Sequence, residues 1–336
     1  MKIANHTLFL GGCVCLTACS TATQPTATTA DYSQYPVSTV GMSMSSIESN
    51  PFFQGAYKTY ETEAKNQPNL TLLIDHANND QAVQDKQLDE MVAKGAKALV
   101  INLVDVNQGK AVIDKYCGKV GLVFFNRNPG DKNLASCSTA YFVDGDATQA
   151  GVLQGLKVLE TWKNNPSWDK NKDGVIQFAM LEGIPNHTGT IARTKWSIGT
   201  MQNYPSLGIP VEKVFQDYAM FNTTKAQELL DTWTKLPDFS KVEVILANND
   251  SMALGAVLSL KEKGIKLPVF GIDATPDAVK SIQAGEMTAT VLNDFDNQAK
   301  SSLRLAANLA AGVTPLQGIE YKMEHNVIQV PYQETK

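Results

Sequence analysis

The sequence has no cluster of basic residues and, beyond its N-terminal segment, no long apolar run. Its formal net charge is −5, from 29 Lys and Arg against 34 Asp and Glu. Nucleic-acid binding needs Lys and Arg to neutralise phosphates, so the charge pattern excludes that class of protein. No internal segment is apolar over the roughly 20 residues that a membrane-spanning helix requires. We therefore expect a soluble body of about 300 residues, whose length suggests two domains.

A short apolar stretch at the N-terminus is followed by a cysteine. It runs from about Leu8 to Leu16 and continues into Leu16-Thr17-Ala18-Cys19, which resembles the lipobox of bacterial lipoproteins. The stretch is too short to span a bilayer, so residues 1–19 are predicted to be a signal peptide, with Cys19 lipidated. An ordinary secretory signal is the alternative, and either one exports the protein. Residues 20–36 are mostly Ser, Thr, Ala, Gln and Pro, which predicts a flexible tether.

Cysteines are few, at 5 in the whole chain. Cys13 and Cys15 would leave with the signal, so Cys117 and Cys137 are the two that remain in the folded body. Outside the cytoplasm an even pair is a disulfide candidate. Two separate buried thiols are the alternative.

In the body, short apolar runs alternate with amphipathic segments. Leu70–Ile74 is typical of a strand, Gln81–Lys94 of a helix that ends at Gly95, and Ala98–Leu103 of another strand. Further apolar runs follow at Val120–Phe125, Val175–Leu181, Val242–Ala247, Val257–Lys263 and Val269–Ile272. Apolar strands separated by helices indicate an α/β fold with a parallel sheet that is covered on both faces. Sheets of this kind bind ligands at the carboxyl ends of their strands.

Short polar residues stand where those strands end. They are Asn126, Asn248-Asn249-Asp250, Asp273 and Asn293-Asp294. Their amides and carboxylates supply the donors and acceptors that pair the hydroxyls of an uncharged polyol. Any one of them alone is equally typical of a turn or a helix N-cap. Four strand ends of the same kind favour a binding site.

The segment from Asp169 to Gln177 places oxygen side chains at alternate positions, with Gly174 for a sharp turn. This pattern is typical of the first half of a Ca²⁺-binding loop. An EF-hand would have Glu at the twelfth position, where this chain has Met180. The loop is therefore EF-like but lies outside an EF-hand. A solvated loop without metal is the alternative.

Several runs together resemble the bacterial galactose/glucose-binding proteins of sugar ABC transporters, from Val40 to Tyr332. They are Asn102-Leu103-Val104-Asp105, Val123-Phe124-Phe125-Asn126, the Asp169–Gln177 loop, Ala247-Asn248-Asn249-Asp250, Val269-Phe270-Gly271-Ile272-Asp273-Ala274 and Thr290-Val291-Leu292-Asn293-Asp294. The resemblance implies a periplasmic binding protein-like α/β fold with two doubly wound parallel-sheet lobes joined by a three-crossing hinge. It divides the chain into 37–145 plus 294–329 and 146–293 plus 330–336, with crossings near Asp146, Asp294 and Val330.

The same resemblance implies the residues of two sites. For a structural Ca²⁺ they are Asp169, Asn171, Asp173, the carbonyl of Val175, Gln177 and the remote Glu243. For a pyranose, Phe52 and Phe221 match the two aromatic faces. The matching polar ring is Asn126, His187, Arg193, Asn249, Asp273 and Asn293.

Three positions depart from the family pattern, and all three fall in the implied sugar pocket. Asn50 stands where the family has an Asp, Gly189 stands where it has a second Asp, and Phe221 replaces a Trp. Two lost carboxylates remove charge-assisted hydrogen bonds to the sugar hydroxyls, each of which contributes roughly 1.5 to 3 kcal/mol. The preferred ligand is then glucose or galactose, or another monosaccharide such as a pentose or a substituted hexose.

The resemblance implies a non-catalytic receptor in the periplasm or at the cell surface. It would capture a monosaccharide and deliver it to a membrane permease, and as in relatives also to a chemoreceptor. We expect a monomer that meets the membrane only through its lipid. One alternative is an exported glycoside hydrolase, but that needs two carboxylates and the implied pocket keeps only Asp273. The other is the sugar-sensing half of a LacI-type repressor, which belongs in the cytoplasm behind a DNA-binding headpiece.

Overall fold

The computed structural model describes residues 37–48 and 50–335. The predicted signal peptide, Cys19 and the tether at 20–36 lie outside the described residues. Within them the strands are β1 (Ser38–Met44), β2 (Leu70–His76), β3 (Ala98–Ile101), β4 (Gly121–Phe125), β5 (Ala140–Gly145), β6 (Ile176–Glu182), β7 (Val211–Tyr218), β8 (Val244–Ala247), β9 (Val269–Phe270), β10 (Val291–Leu292), β11 (Met323–Glu324), β12 (Val327–Val330) and β13 (Gln333–Glu334).

The α-helices of the same residues are α1 (Pro51–Lys65), α2 (Gln81–Ala93), α3 (Gly109–Tyr116), α4 (Asp131–Ala135), α5 (Ala147–Asn164), α6 (Thr188–Asn203), α7 (Thr223–Trp233), α8 (Asp250–Glu262), α9 (Pro276–Gln283) and α10 (Phe295–Ala311). Short 3₁₀ helices lie at Val106–Gln108, Pro166–Trp168 and Pro237–Lys241.

The first lobe is built on a parallel sheet in the order β2-β1-β3-β4-β5-β12, with β11 antiparallel at its edge. Apolar side chains on one face of the sheet pack against α1 and α10. Those on the other face pack against α2 and α3. Both faces of β3 and β4 are covered, which explains why these strands are apolar throughout.

The second lobe has a parallel sheet in the order β7-β6-β8-β9. Single parallel bridges from Phe270 to Ala289 and from Asp273 to Leu292 bring β10 alongside β9, and β10 pairs antiparallel with β13. Helices α5 and α6 cover one face of the sheet, and α7, α8 and α9 cover the other. The predicted fold of two doubly wound lobes is confirmed.

The chain passes between the lobes three times. It leaves the first sheet after β5, where Asp146 caps α5 with its side chain. It returns after β10, where Asp294 caps α10 in the same way. It crosses again between β12 and β13, at a segment that contains the buried Tyr332. The two sheets are therefore tied by three neighbouring backbone segments.

Local signals set the boundaries of α2 as the sequence predicts. The side chain of Asp80 accepts from the N–H groups of Ala82 and Val83, which begins α2, and Gly95 follows its end with φ of 92°. The apolar run Val257–Lys263 forms the second half of α8 and its C-cap, and Val257 and Leu260 are buried in the core of the second lobe.

Cys117 and Cys137 are joined by a disulfide, with 20 residues of sequence separation and 6.0 Å between their Cα atoms. Cys117 directly follows α3, and Cys137 is buried in the apolar cluster between the first sheet and helices α2 and α3. The bond closes a loop that contains β4, the strand that carries Asn126 at its end.

Replacement of both cysteines by serine is expected to lower the free energy of unfolding. A loop of this length contributes about 3 kcal/mol in the chain-entropy model. Urea denaturation of wild type and the Cys117→Ser/Cys137→Ser variant measures the difference. Wild type in reducing agent serves as the control and should match the variant. Equal unfolding free energies for oxidised wild type and the variant would contradict the expectation.

Candidate functional site

A cleft of about 200 Å³ lies between the carboxyl ends of the two sheets. All nine residues that the sequence predicts for the sugar pocket line it: Asn50, Phe52, Asn126, His187, Arg193, Phe221, Asn249, Asp273 and Asn293. Six further lining residues were not predicted: Phe53, Asn79, Arg127, Ile184, Met220 and Asn222. Of these, Arg127 carries a signal in the sequence, because it directly follows a predicted strand-end residue.

A larger cavity of about 490 Å³ lies elsewhere on the second lobe, beside Trp168 and Leu267. It lacks the convergence of buried polar groups that marks the smaller cleft. Ligand-binding sites combine a concave shape with a few oriented polar groups and with ionisable side chains whose pKa values are shifted. By these criteria the smaller cleft is the candidate site.

Arg193, on α6, is the most heavily engaged side chain of the cleft. Its Nη1 donates to the carbonyl of Asn248 at 2.7 Å and its Nη2 donates to the hydroxyl of Tyr332 at 2.6 Å. Asp273 Oδ1 lies 3.6 Å from Nη2. Burial alone would lower the pKa of Arg193, but the interactions with Tyr332 and Asp273 outweigh it and raise the pKa. The guanidinium therefore stays charged and joins α6 to the third crossing segment.

Asp273 follows β9 in a backbone conformation that side-chain-bearing residues rarely adopt, with φ of 126°. Its Oδ1 accepts from Asn293 Nδ2 at 3.0 Å. Burial raises the pKa of Asp273, and Arg193 and Asn293 partly offset that rise. Asn126 and Phe221 also have positive φ, of 63° and 55°. Strained backbone of this kind concentrates where side chains must be held in place for function.

Asn126 is held in place by a carboxylate that the sequence analysis did not predict as part of the site. Its Nδ2 donates to Asp144 Oδ1 at 3.3 Å. Asp144 lies on β5, and burial raises its pKa to about 7, although Gly145 and Arg193 act in the opposite direction. The amide of Asn126 is thereby fixed with its oxygen available to a ligand.

His187 is the N-cap of α6 and is neutral. Its Nδ1 accepts from the N–H of Gly189 at 3.1 Å, so the ring proton is on Nε2. Burial, with further contributions from Arg193 and Arg127, lowers the pKa of His187 to about 4. The imidazole therefore presents an N–H donor to the cleft at neutral pH.

The two aromatic positions come from opposite lobes. Phe52 lies in the first turn of α1, where its ring is stacked with that of Phe125 at 6.1 Å between centroids. Phe221 follows β7 and meets the ring of His187 edge-on at 5.4 Å. A Cβ at Gly183 would lie 2.1 Å from the Phe221 ring, so only glycine fits there. Aromatic rings on both sides suit the apolar C–H faces of a pyranose.

Two of the departures from the family pattern have clear structural consequences. The Asn50 side chain caps α1 by accepting from Phe52 N–H at 3.0 Å. A Cβ at Gly189 would lie 3.1 Å from His187 Nδ1 and 4.0 Å from Arg193 Nε. Because position 189 is glycine, no side chain lies between His187 and Arg193.

The Asp169–Gln177 loop curls around its own oxygen atoms. Asp169 accepts from the N–H groups of Asp173 and Gly174, at 3.1 and 3.0 Å. Asp173 accepts from Val175 N–H at 2.8 Å, and this bond holds the pKa of Asp173 below its usual value. Backbone hydrogen bonds of this type pre-form the turn with its carboxylates on one side.

Glu243, directly before β8, reaches the loop from outside. Its carboxylate accepts from the N–H groups of Lys170 and Gln177, at 2.7 and 3.3 Å, and burial raises its pKa. The buried Oε1 of Gln177 has no hydrogen-bond partner among the described residues. Among all the residues that the structure describes, no group of three or more His, Cys, Asp and Glu side chains is close enough to hold a metal. A cation here would therefore need the amide and carbonyl oxygens as well as the carboxylates.

The chain matches the family described as periplasmic binding protein domain over residues 40–314. It is 38% identical over 294 residues to the D-galactose/methyl-galactoside binding periplasmic protein of Haemophilus influenzae, with 87% of this chain and 88% of the relative covered. It is also 29% identical over 257 residues to a putative rhizopine-binding protein of Rhizobium meliloti, covering 75% and 78% of the two chains.

Solved structures share the fold. An ABC transporter solute-binding protein from Bacillus halodurans with bound myo-inositol matches with a TM-score of 0.72 and 24% identity, covering 90% of this chain and 95% of that one. A periplasmic solute-binding protein from Actinobacillus succinogenes with bound D-allose matches with a TM-score of 0.73 and 20% identity, covering 89% and 97%.

This family consists of solute-binding proteins rather than enzymes, so the hydrolase alternative is set aside. No helix in residues 37–48 and 50–335 has the length and apolar character needed to cross a membrane. The chain belongs to the periplasmic binding protein family, as an extracytoplasmic sugar-binding protein of the ABC transporter type.

Proposed function

We propose that this protein captures one monosaccharide of the galactose or glucose type in the cleft and delivers it to an ABC transporter permease. The observation that carries the proposal is the convergence of Asn126, Arg193 and Asp273 between two aromatic rings. A cleft of about 200 Å³ is smaller than most drug-sized pockets and suits a single small ring. The relative from Haemophilus influenzae, which binds D-galactose and methyl-galactoside, supports the same ligand class.

The proposed capture uses residues of both lobes. Asn126 and Phe52 belong to the first lobe, and Arg193, Asp273 and Phe221 belong to the second. A ligand that contacts both lobes stabilises the arrangement in which they are close, because only that arrangement provides all the contacts. We include in the proposal the division into lobes at 37–145 plus 294–329 and 146–293 plus 330–336. A chemoreceptor that binds the protein when its lobes are closed is a further proposed partner.

We also propose that the Asp169–Gln177 loop binds a structural Ca²⁺. The unpartnered, buried Oε1 of Gln177 supports it, because a buried amide oxygen needs a donor or a cation. The residues that would hold the ion are Asp169, Asn171, Asp173, the carbonyl of Val175, Gln177 and Glu243. All are the hard oxygen ligands that Ca²⁺ prefers. When bound, the ion would neutralise the carboxylates and tie the loop to β8.

Replacing Asp273 is expected to weaken monosaccharide binding by at least about tenfold, because a charged hydrogen-bond partner is lost. Calorimetric titration of glucose and galactose into wild type, Asp273→Ala and the more conservative Asp273→Asn measures the change. Lys213→Gln, at an exposed position on β7, is the control and should bind as wild type does. Unchanged affinity in both Asp273 variants would disprove the site assignment. Wild type that binds no monosaccharide, neutral or acidic, would disprove the proposed ligand class.

Removing Ca²⁺ is expected to lower the melting temperature, because like-charged carboxylates then face each other without a cation. Differential scanning calorimetry with EDTA, and with EDTA plus excess Ca²⁺, measures the shift. Glu243→Gln should melt lower than wild type and respond less to EDTA. Glu228→Gln, an exposed residue of α7, should respond as wild type does. A melting temperature that EDTA does not change would show that the loop holds no metal.

Lipidation is proposed at Cys19, which lies outside the described residues. Cells that express the full chain with radiolabelled palmitate should give a labelled protein, and Cys19→Ser should abolish the label. A Cys15→Ser variant is the matched control and should keep it. An unlabelled wild type would leave the ordinary secretory signal as the correct interpretation, and equal labelling of the Cys19→Ser variant would show that the lipid is not on Cys19.

A further inference from the structure

Arg127 stands at the first-lobe wall of the cleft without a carboxylate partner. Its Nη1 donates to the carbonyls of Leu103 and Val104, at 2.7 and 2.9 Å. The guanidinium lies 5.8 Å from the centre of the Phe53 ring. Among the described residues no Asp or Glu forms an ion pair with it, and burial lowers its pKa to about 10. Its remaining N–H groups are free for a ligand.

Arg193 differs from Arg127 in this respect. The charge of Arg193 is balanced by Asp273, whose Oδ1 lies 3.6 Å away. The cleft therefore contains two guanidinium groups, and only one of them has an acidic neighbour. A partly buried charge without a counter-ion is unfavourable, so a ligand that supplies the opposite charge gains binding energy there.

Hydrogen-bond donors in the cleft are left without protein partners. Arg193 Nε and Asn249 Nδ2 are buried and have no acceptor among the described residues. His187 presents Nε2–H, because its Nδ1 is an acceptor for Gly189 N–H. With Arg127, four side chains offer free N–H groups to whatever fills the cleft.

Acceptors in the cleft are mostly occupied already. The Asn50 and Asn249 side-chain oxygens cap helices, accepting from Phe52 N–H and Met252 N–H at 3.0 and 3.1 Å. The Asn293 oxygen accepts from Gln298 Nε2 at 2.6 Å. Among the Asn and Asp side chains that line the cleft, the oxygens of Asn79 and Asn126 and one oxygen of Asp273 accept no hydrogen bond from the described residues. The cleft thus has more free donors than free acceptors.

A carboxylate matches a surplus of donors beside an unpaired positive charge better than a hydroxyl does, because a hydroxyl also brings a proton that needs an acceptor. A carboxylate brings two acceptor oxygens, no proton and a negative charge, and it pairs with a guanidinium through two parallel hydrogen bonds. We propose that the ligand of this protein is a monosaccharide acid, a hexuronate whose carboxylate contacts Arg127. This inference rests on the proposed function, since it specifies which sugar the same cleft binds.

Calorimetric titration of wild type with galacturonate, glucuronate, galactose, glucose and the methyl ester of galacturonate tests the inference. The methyl ester keeps the shape of galacturonate but removes its charge. We expect at least one uronate to bind about tenfold or more tighter than its neutral hexose and its ester. Arg127→Gln should remove that preference and Arg127→Lys should keep part of it, whereas Lys213→Gln should leave it unchanged.

The outcomes separate the inference from the function on which it rests. Tighter binding of a neutral hexose than of either uronate would overturn the inference and leave the proposed function standing. The same holds if Arg127→Gln and Arg127→Lys both bind uronates as wild type does. No binding of any sugar in the panel would overturn both. Circular dichroism of each variant confirms that lost binding does not come from lost folding.

A reciprocal change tests the same balance of donors and charge. A Gly189→Asp substitution would place a carboxylate beside Arg193 Nε, which has no acceptor among the described residues. The added acceptor and negative charge should weaken uronate binding and strengthen hexose binding, so the ratio of the two affinities should move toward the hexose. Gly189→Asn, which adds similar volume without charge, is the matched control and should change the ratio less. An unchanged or opposite ratio in Gly189→Asp would contradict the inference.

Discussion

The arrangement of the cleft depends on one buried guanidinium, that of Arg193. It donates to the carbonyl of Asn248 at the end of β8 and to the hydroxyl of Tyr332 in the third crossing segment, and it lies beside Asp273. Leaving such a charge without partners in the interior would cost several kcal/mol. The need to partner Arg193 therefore fixes the relative positions of α6, two strand ends and the hinge. This arrangement in turn determines where the side chains that face the ligand lie.

The residues around Arg193 show how the protein orients a polar site before a ligand arrives. Asn126 is held by Asp144, Asn293 is held by Gln298, and His187 is fixed by the backbone of its own helix. Asn126 and His187 each have one polar atom bound to the protein and another left for the ligand, whereas both polar atoms of Asn293 are bound to Asp273 and Gln298. Preorganisation of this kind reduces the entropy that binding must overcome.

Much of this was readable from the sequence, because strand ends in a doubly wound sheet converge on one edge. Asn126, Asp273 and Asn293 follow apolar strands, and the structure brings them to one cleft. Asp144 was missed because its role comes from burial and a remote partner, which periodicity does not encode. Arg127 directly follows a predicted strand-end residue, but its lack of a carboxylate partner among the described residues shows only in the structure. The roles of the Asn50 and Asn249 oxygens as helix caps likewise depend on backbone geometry. A short apolar run such as Val257–Lys263 fits a buried helix as well as a strand, and the structure places most of it in α8.

The central claim is that one monosaccharide is bound between the two lobes by groups ordered around Arg193. The most direct measurement is a crystal structure of the complex with the tightest-binding sugar of the panel. The account predicts electron density for a single sugar ring between Phe52 and Phe221, with hydroxyl oxygens within hydrogen-bond distance of Asp273 and Arg193. A sugar found instead in the larger cavity beside Trp168, with the cleft between the sheets filled by water, would contradict it.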